Sequence, residues 1–71
     1  MLIKAKVFGQ RFCTRCGTTQ MYYYTIEGQP EGSCQRCGNI DYCDDETEQQ
    51  VKQRFGNLLR KADIDTLIFQ E

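Results

Sequence analysis

The chain has 71 residues, 39% hydrophobic and 27% charged, with five cysteines, one proline, no histidine, no tryptophan and a formal net charge of −1. So short a chain forms one domain, and apolar burial alone barely offsets the entropy of ordering it, so a staple is expected from the cysteines. The absence of His excludes His-ligated metal sites and His-dependent acid–base or triad chemistry, and the length argues against a full enzyme active site. No apolar run reaches the ~18 residues needed to cross a bilayer. The opening stretch from Met1 to Val7 lacks the long apolar core of a secretory signal. The expectation is a cytoplasmic protein with no membrane partner, whose cysteines serve as metal ligands rather than disulfides.

Charge divides the chain. Residues 1–40 carry five basic side chains (Lys4, Lys6, Arg11, Arg15, Arg36) against Glu27 and Glu31, a net +3. Residues 41–71 carry four basic against eight acidic side chains, a net −4. Opposite signs in the two halves suggest two faces.

In chain order, Ile3, Ala5 and Val7 alternate with Lys4 and Lys6, the pattern of a strand. The stretch from Thr19 to Ile26 is rich in β-formers and runs into the turn-forming residues Glu27–Gly32, so a hairpin is expected. Its three consecutive tyrosines must alternate, with Tyr22 and Tyr24 on one face and Tyr23 on the other with Met21 and Thr25. Beyond Cys43 the period changes. Val51, Phe55, Leu58, Leu59 and Ala62 make the apolar stripe of a helix expected over about 46–61, with Asp44, Asp45 or Thr47 as its cap. Gly56 lies inside that stripe. The tail Ile64–Phe69 reads either as a second short helix or as a strand beside the N-terminal one.

Cys13, Cys16, Cys34 and Cys37 form the pattern C-x2-C-x17-C-x2-C. Cys13-Thr14-Arg15-Cys16-Gly17 is repeated as Cys34-Gln35-Arg36-Cys37-Gly38. Each pair closes a tight turn that aims two sulfurs at one point, and each glycine follows where the backbone must turn with φ > 0. Four thiolates at tetrahedral angles satisfy Zn²⁺ and leave no position for water, so one structural zinc per chain is the expected cofactor. With four thiolates and one Zn²⁺ counted, the net charge moves from −1 to about −3. Arg15 and Arg36 can balance the cluster or contact a partner. Cys43 is left over and is expected as a free thiol where ribbon and helix meet.

The two CxxCG knuckles and the β-rich segment between them resemble a zinc ribbon over about residues 3–42. The implied fold is a small metal-stabilised α+β domain. It comprises a zinc ribbon over residues 1–43 and a C-terminal amphipathic helix and tail over 44–71, packed on or beside it. The resemblance implies a non-enzymatic protein that binds a macromolecule, first of all a protein of the transcription machinery, as a small regulator of the phage type would. One alternative is a ribbon that binds single-stranded RNA or DNA, with Tyr22 and Tyr24 stacking bases beside Lys4, Lys6 and Arg11. Another is a rubredoxin-like iron carrier, although Thr14 and Gln35 stand where such knuckles place Pro or a small apolar residue. The apolar Leu67-Ile68-Phe69 is either core or a docking segment. The acidic balance favours a protein partner over nucleic acid, whose affinity rests on cationic contacts.

Overall fold

A computed structural model describes residues 2–70. Five strands form one antiparallel sheet: β1 (Leu2–Arg11), β2 (Met21–Ile26), β3 (Gln29–Cys34), β4 (Ile40–Tyr42) and β5 (Thr66–Gln70), in the spatial order β4-β3-β2-β1-β5. One helix, α1 (Glu48–Phe55), and a 3-10 turn over Gly56–Leu58 lie between β4 and β5. The hairpin forms as expected, but its loop is only Glu27-Gly28, both with positive φ (52° and 83°), and Gln29 and Pro30 already belong to β3. Pro30 is tolerated there because β4 pairs only with Glu31, Gly32 and Ser33, leaving Pro30 on a locally open edge.

The C-terminal helix expected over 46–61 is corrected in two ways. The helix is shorter, and it is not C-terminal. Thr47 starts it with a capping box, accepting from the Gln50 N–H at 3.2 Å while the Gln50 side chain accepts from the Thr47 N–H at 2.8 Å. Gly56 ends it, with φ 53° at the residue after Phe55. That backbone favours glycine, so the residue read as helix interior is a stop signal. Of the stripe, Val51 and Phe55 are buried, Leu59 is partly buried and Leu58 is exposed. The tail takes the strand alternative: β5 pairs antiparallel with β1, Ile3 opposite Phe69 and Ala5 opposite Leu67. Residues 66–70 therefore extend the same sheet as the ribbon strands.

Both faces of the sheet are covered. On one, Tyr23 and Met21 pack with Cys13, Cys34, Cys43, Val51 and Phe55. On the other, Tyr22 and Tyr24 pack with Ala5 and Val7, flanked by Ala62, Ile64, Leu67 and Phe69. A bulge lets β1 serve both. Val7 pairs with Tyr24 but Gly9 pairs with Tyr23, so the strand gains one residue at Phe8. Before the bulge odd-numbered side chains face the Tyr24 layer; after it, Gly9, Arg11 and Cys13 face the Tyr23 layer. Tyr23 lies opposite Gly32 of β3, where an added Cβ would meet the Tyr23 ring at 2.6 Å. The ring covers the glycine of its neighbouring strand.

Each buried tyrosine has a partner for its hydroxyl. Tyr22 donates to Asp63 (2.7 Å), Tyr23 to Asp41 (2.5 Å) and Tyr24 to Glu31 (3.2 Å). The carboxylate bonded to Tyr22, then burial, raises its pKa. Burial first, and the neighbouring Asp41 or Glu31 next, do the same at Tyr23 and Tyr24. Folded and unfolded chains are both neutral at these sites below about pH 10, so this contribution to stability is complete there. It is lost as pH rises above that value, because the unfolded chain releases the protons first. The expected result in an alkaline titration is that tyrosinate absorbance from these three residues appears only together with loss of the far-ultraviolet signal. Phe55→Ala, which empties a site packed against Tyr23 at 4.9 Å between ring centres, is expected to cost about 3–5 kcal/mol in a denaturant melt.

Candidate metal centre

Two backbone turns of the same geometry build the centre. In the first, the Gly17 N–H donates to the Cys13 carbonyl (2.9 Å) and the Cys13 N–H to the Thr18 carbonyl (2.7 Å). In the second, the Gly38 N–H donates to the Cys34 carbonyl (3.0 Å) and the Cys34 N–H to the Asn39 carbonyl (2.8 Å). Gly17 and Gly38 share φ 81°, the left-handed conformation that a side chain strains. The first turn follows β1 and the second follows β3. The pairing of Met21 with Cys34 and of Arg11 with Met21 brings the strand ends together. A hydrogen bond from the Gln35 N–H to the Gln20 carbonyl (3.1 Å) ties one turn to the approach of β2.

The four sulfurs lie within 4.8 Å of one another. Cys13 and Cys37 are 3.8 Å apart at Sγ, and Cys16 and Cys34 are 3.5 Å apart. A tetrahedron with metal–sulfur bonds of about 2.3 Å has edges of about 3.8 Å. The donor set therefore fits a tetrahedral thiophilic ion, and the four cysteines can hold a metal. Cys13 and Cys34 are buried, Cys16 is half-buried and Cys37 is exposed.

Backbone N–H groups prepare the sulfurs for that charge. The N–H of Cys16, helped by that of Arg15, lowers the Cys13 thiol against the effect of burial. Burial pushes Cys34 up, but the N–H groups of Cys37 and Arg36 and the neighbouring thiols bring it down to about 6. Cys16 moves the other way: the Thr18 N–H lowers it, yet burial and the other three thiols push it up to about 12. A bound cation would favour the thiolate at all four positions and release any remaining protons.

The other sequence candidates fall elsewhere. Tyr22 and Tyr24 are 6% and 2% exposed, so neither offers a ring face for stacking. Both are inside because the residue 62–69 segment covers their face of the sheet. Arg11 is not a free cation on an open strand. Its guanidinium lies 4.3 Å from the centre of the Phe55 ring, and Arg54 lies 4.2 Å from the same ring. Lys4 and Lys6 are exposed on β1, and Leu67 and Phe69 are half-buried in β5, with Ile68 exposed between them.

The acidic stretch from Asp41 to Glu48 is partly consumed internally. Arg54 pairs with Glu46 (2.8 Å) and approaches Asp41 (3.6 Å), and Glu48 bridges Thr25 and Lys52 at 3.1 Å each. Cys43 is buried where ribbon and helix meet, accepting from Arg54 Nη2 at 3.6 Å, with its thiol raised by burial and by Asp41. Sequence reasoning missed Arg54 as the residue that ties the helix to β4. Its only trace was a basic residue eight positions after Glu46.

Replacing Cys34 with Ser is expected to abolish metal binding and the folded spectrum together, whereas Cys43→Ser is expected to keep one metal per chain. Metal analysis and circular dichroism of the two variants check this. Loss of the metal in the Cys43 variant would contradict the four-ligand assignment.

No protein-family model, curated protein or solved structure matches the chain. The structure itself establishes a five-stranded antiparallel sheet carrying a four-cysteine cluster at metal-binding distance, consistent with a zinc-ribbon-like site. No helix among the described residues is long and apolar enough to cross a membrane.

Proposed function

We propose that Cys13, Cys16, Cys34 and Cys37 hold one Zn²⁺ as a structural staple, and that the chain is a non-enzymatic module that binds a macromolecular partner. The observation that carries this reading is the closed, all-sulfur donor set within 4.8 Å. Four protein ligands fill a tetrahedral ion and leave no vertex for water or substrate, the arrangement of structural rather than catalytic zinc. Zinc is redox-inert, so its contribution is to hold the two knuckles and the strands behind them in one geometry. A reducing, cytoplasmic location suits five cysteines of which none is in a disulfide.

Charge favours a protein as the partner. The metal-loaded chain is net acidic, and the aromatic rings considered for base stacking are buried. The resemblance to zinc ribbons makes the transcription machinery the first partner to test.

Two measurements test the two halves. Metal analysis of the purified protein is expected to give one zinc per chain and no visible absorbance; a red protein would mean iron. Binding to RNA polymerase and to labelled single-stranded RNA is then compared at low and at ~150 mM salt. Retention of polymerase at the higher salt supports the protein partner, and tight RNA binding that survives it would contradict this choice.

A further inference from the structure

A groove of about 440 Å³ opens between the end of β1 and the segment after α1. Its walls carry two exposed apolar side chains, Phe12 at 54% and Leu58 at 65% of full exposure. Three cations line it: Arg11, Arg60 and Lys61. No carboxylate lines it, and among the described residues none of the three cations is in a salt bridge. Among the described residues Lys52 and Arg54 are paired with carboxylates, while Lys4, Lys6, Arg15 and Arg36, like the three groove cations, are in no salt bridge. What sets the groove apart is that three such cations converge beside exposed apolar surface. Arg11 is engaged by the Phe55 ring, and Arg60 and Lys61 are left as exposed cations without a carboxylate beside apolar surface.

Hydrogen bonds hold the backbone beneath the groove. Arg60 exchanges two backbone hydrogen bonds with Gln10, at 2.8 and 2.9 Å. The Gln10 side chain then ties three segments together, donating to the Thr19 carbonyl (2.6 Å) and accepting from the Asp63 N–H (3.1 Å). Gly9 lets Leu59 lie directly on β1, since an added Cβ there would meet Leu59 Cγ at 2.5 Å. Phe12 leans toward the first metal knuckle, its ring tip 3.9 Å from where a Cβ of Gly17 would stand. The backbone beneath the groove is thus held by bonds that a bound ligand would not have to create.

We propose that this groove binds a short segment of a protein partner in which carboxylates flank an apolar side chain. The apolar residue would lie between Phe12 and Leu58, and the carboxylates would meet the exposed Arg60 and Lys61. The rest of the molecule decides between polyanions. A long nucleic acid strand would extend past the groove across a chain that is net acidic, whereas a short peptide meets only the local positive charge. This proposal rests on the partner-binding reading above and specifies the chemistry of its partner.

The test uses the full zinc-loaded chain with labelled probes: a short peptide of alternating Asp and Leu, the same peptide with Lys for Asp, the same with Ser for Leu, and oligouridine. Anisotropy gives affinity, and backbone amide shifts locate the site. The Asp/Leu peptide alone is expected to move the amides of Phe12, Thr19, Asn57, Leu58, Arg60 and Lys61. The double change Arg60→Ser and Lys61→Ser, both at exposed positions, is expected to weaken it about tenfold. Phe12→Ser is expected to weaken it while leaving zinc content and the rest of the amide spectrum intact.

Unmoved groove amides at ~1 mM peptide would overturn the proposal. So would equal binding of the Ser-containing peptide, or tighter binding of oligouridine at the same amides. If the chain still carries zinc and retains its partner in those cases, only the groove assignment fails. A chain without zinc or without any macromolecular partner would instead remove the reading beneath it.

Discussion

The sulfurs of Cys13, Cys16, Cys34 and Cys37 lie within 4.8 Å of one another. Four thiolates at that separation repel strongly without a cation between them. Neutral thiols in the same place forgo most of their charge-assisted hydrogen bonds and leave the backbone N–H groups of two turns aimed at weak acceptors. The knuckles therefore suit a positive ion, and the proposed metal would tie together the strands that lead into them. β1 enters the first knuckle and β3 enters the second, with β2 between them in the sheet. Fixing the knuckles fixes the register of three strands at one end.

The fixed end is coupled to the rest of the fold through one crowded layer. Tyr23, Met21, Cys13 and Cys34 share a cluster with Val51 and Phe55 of the helix. Phe55 holds the guanidinium groups of Arg11 and Arg54, and Arg54 reaches Glu46 and Asp41, the acceptor of the Tyr23 hydroxyl. Both guanidinium groups gain from stacking on the ring, and Arg54 gains further from its carboxylate partners. The bulge at Phe8 makes this layer possible, since without the extra residue Arg11 and Cys13 would face the opposite side of the sheet. The second layer, around Tyr22 and Tyr24, depends on the tail: β5 extends the sheet and residues 62–69 cover the rings.

The sequence carried the local features best. Two copies of the Cys-x-Arg-Cys-Gly pattern fix ligand identity and turn geometry with little outside help, because a positive φ after the second sulfur asks for glycine in both. The alternation of Tyr22, Tyr23 and Tyr24 placed these rings on opposite faces for the same kind of reason. What escaped was non-local. Gly56 fits the helical stripe by spacing, and only its φ of 53° reveals it as the end of the helix. Leu59 packs with Val51 and Phe55 as its spacing implies, although it lies beyond the helix, whereas Leu58 and Ala62 continue the spacing by coincidence: Leu58 is exposed and Ala62 packs on the far face of the sheet. The bulge has no signature beyond a phenylalanine before a glycine. The burial of Tyr22 and Tyr24 follows from a strand pairing across about sixty residues of chain, which no window of the sequence reports.

A small sheet covered on both faces has little apolar area per residue, and its cover here is partial: Leu2, Tyr42, Leu58 and Ile68 remain largely exposed. For a fold of this size, the proposed metal would supply a large share of the stability. The most direct measurement is an amide correlation spectrum of the intact chain as its metal is withdrawn with a strong chelator and then restored. Collapse of the dispersed spectrum on withdrawal, and its recovery with one equivalent of zinc, is the result that this account predicts. A dispersed spectrum that persists in the metal-free chain would contradict it.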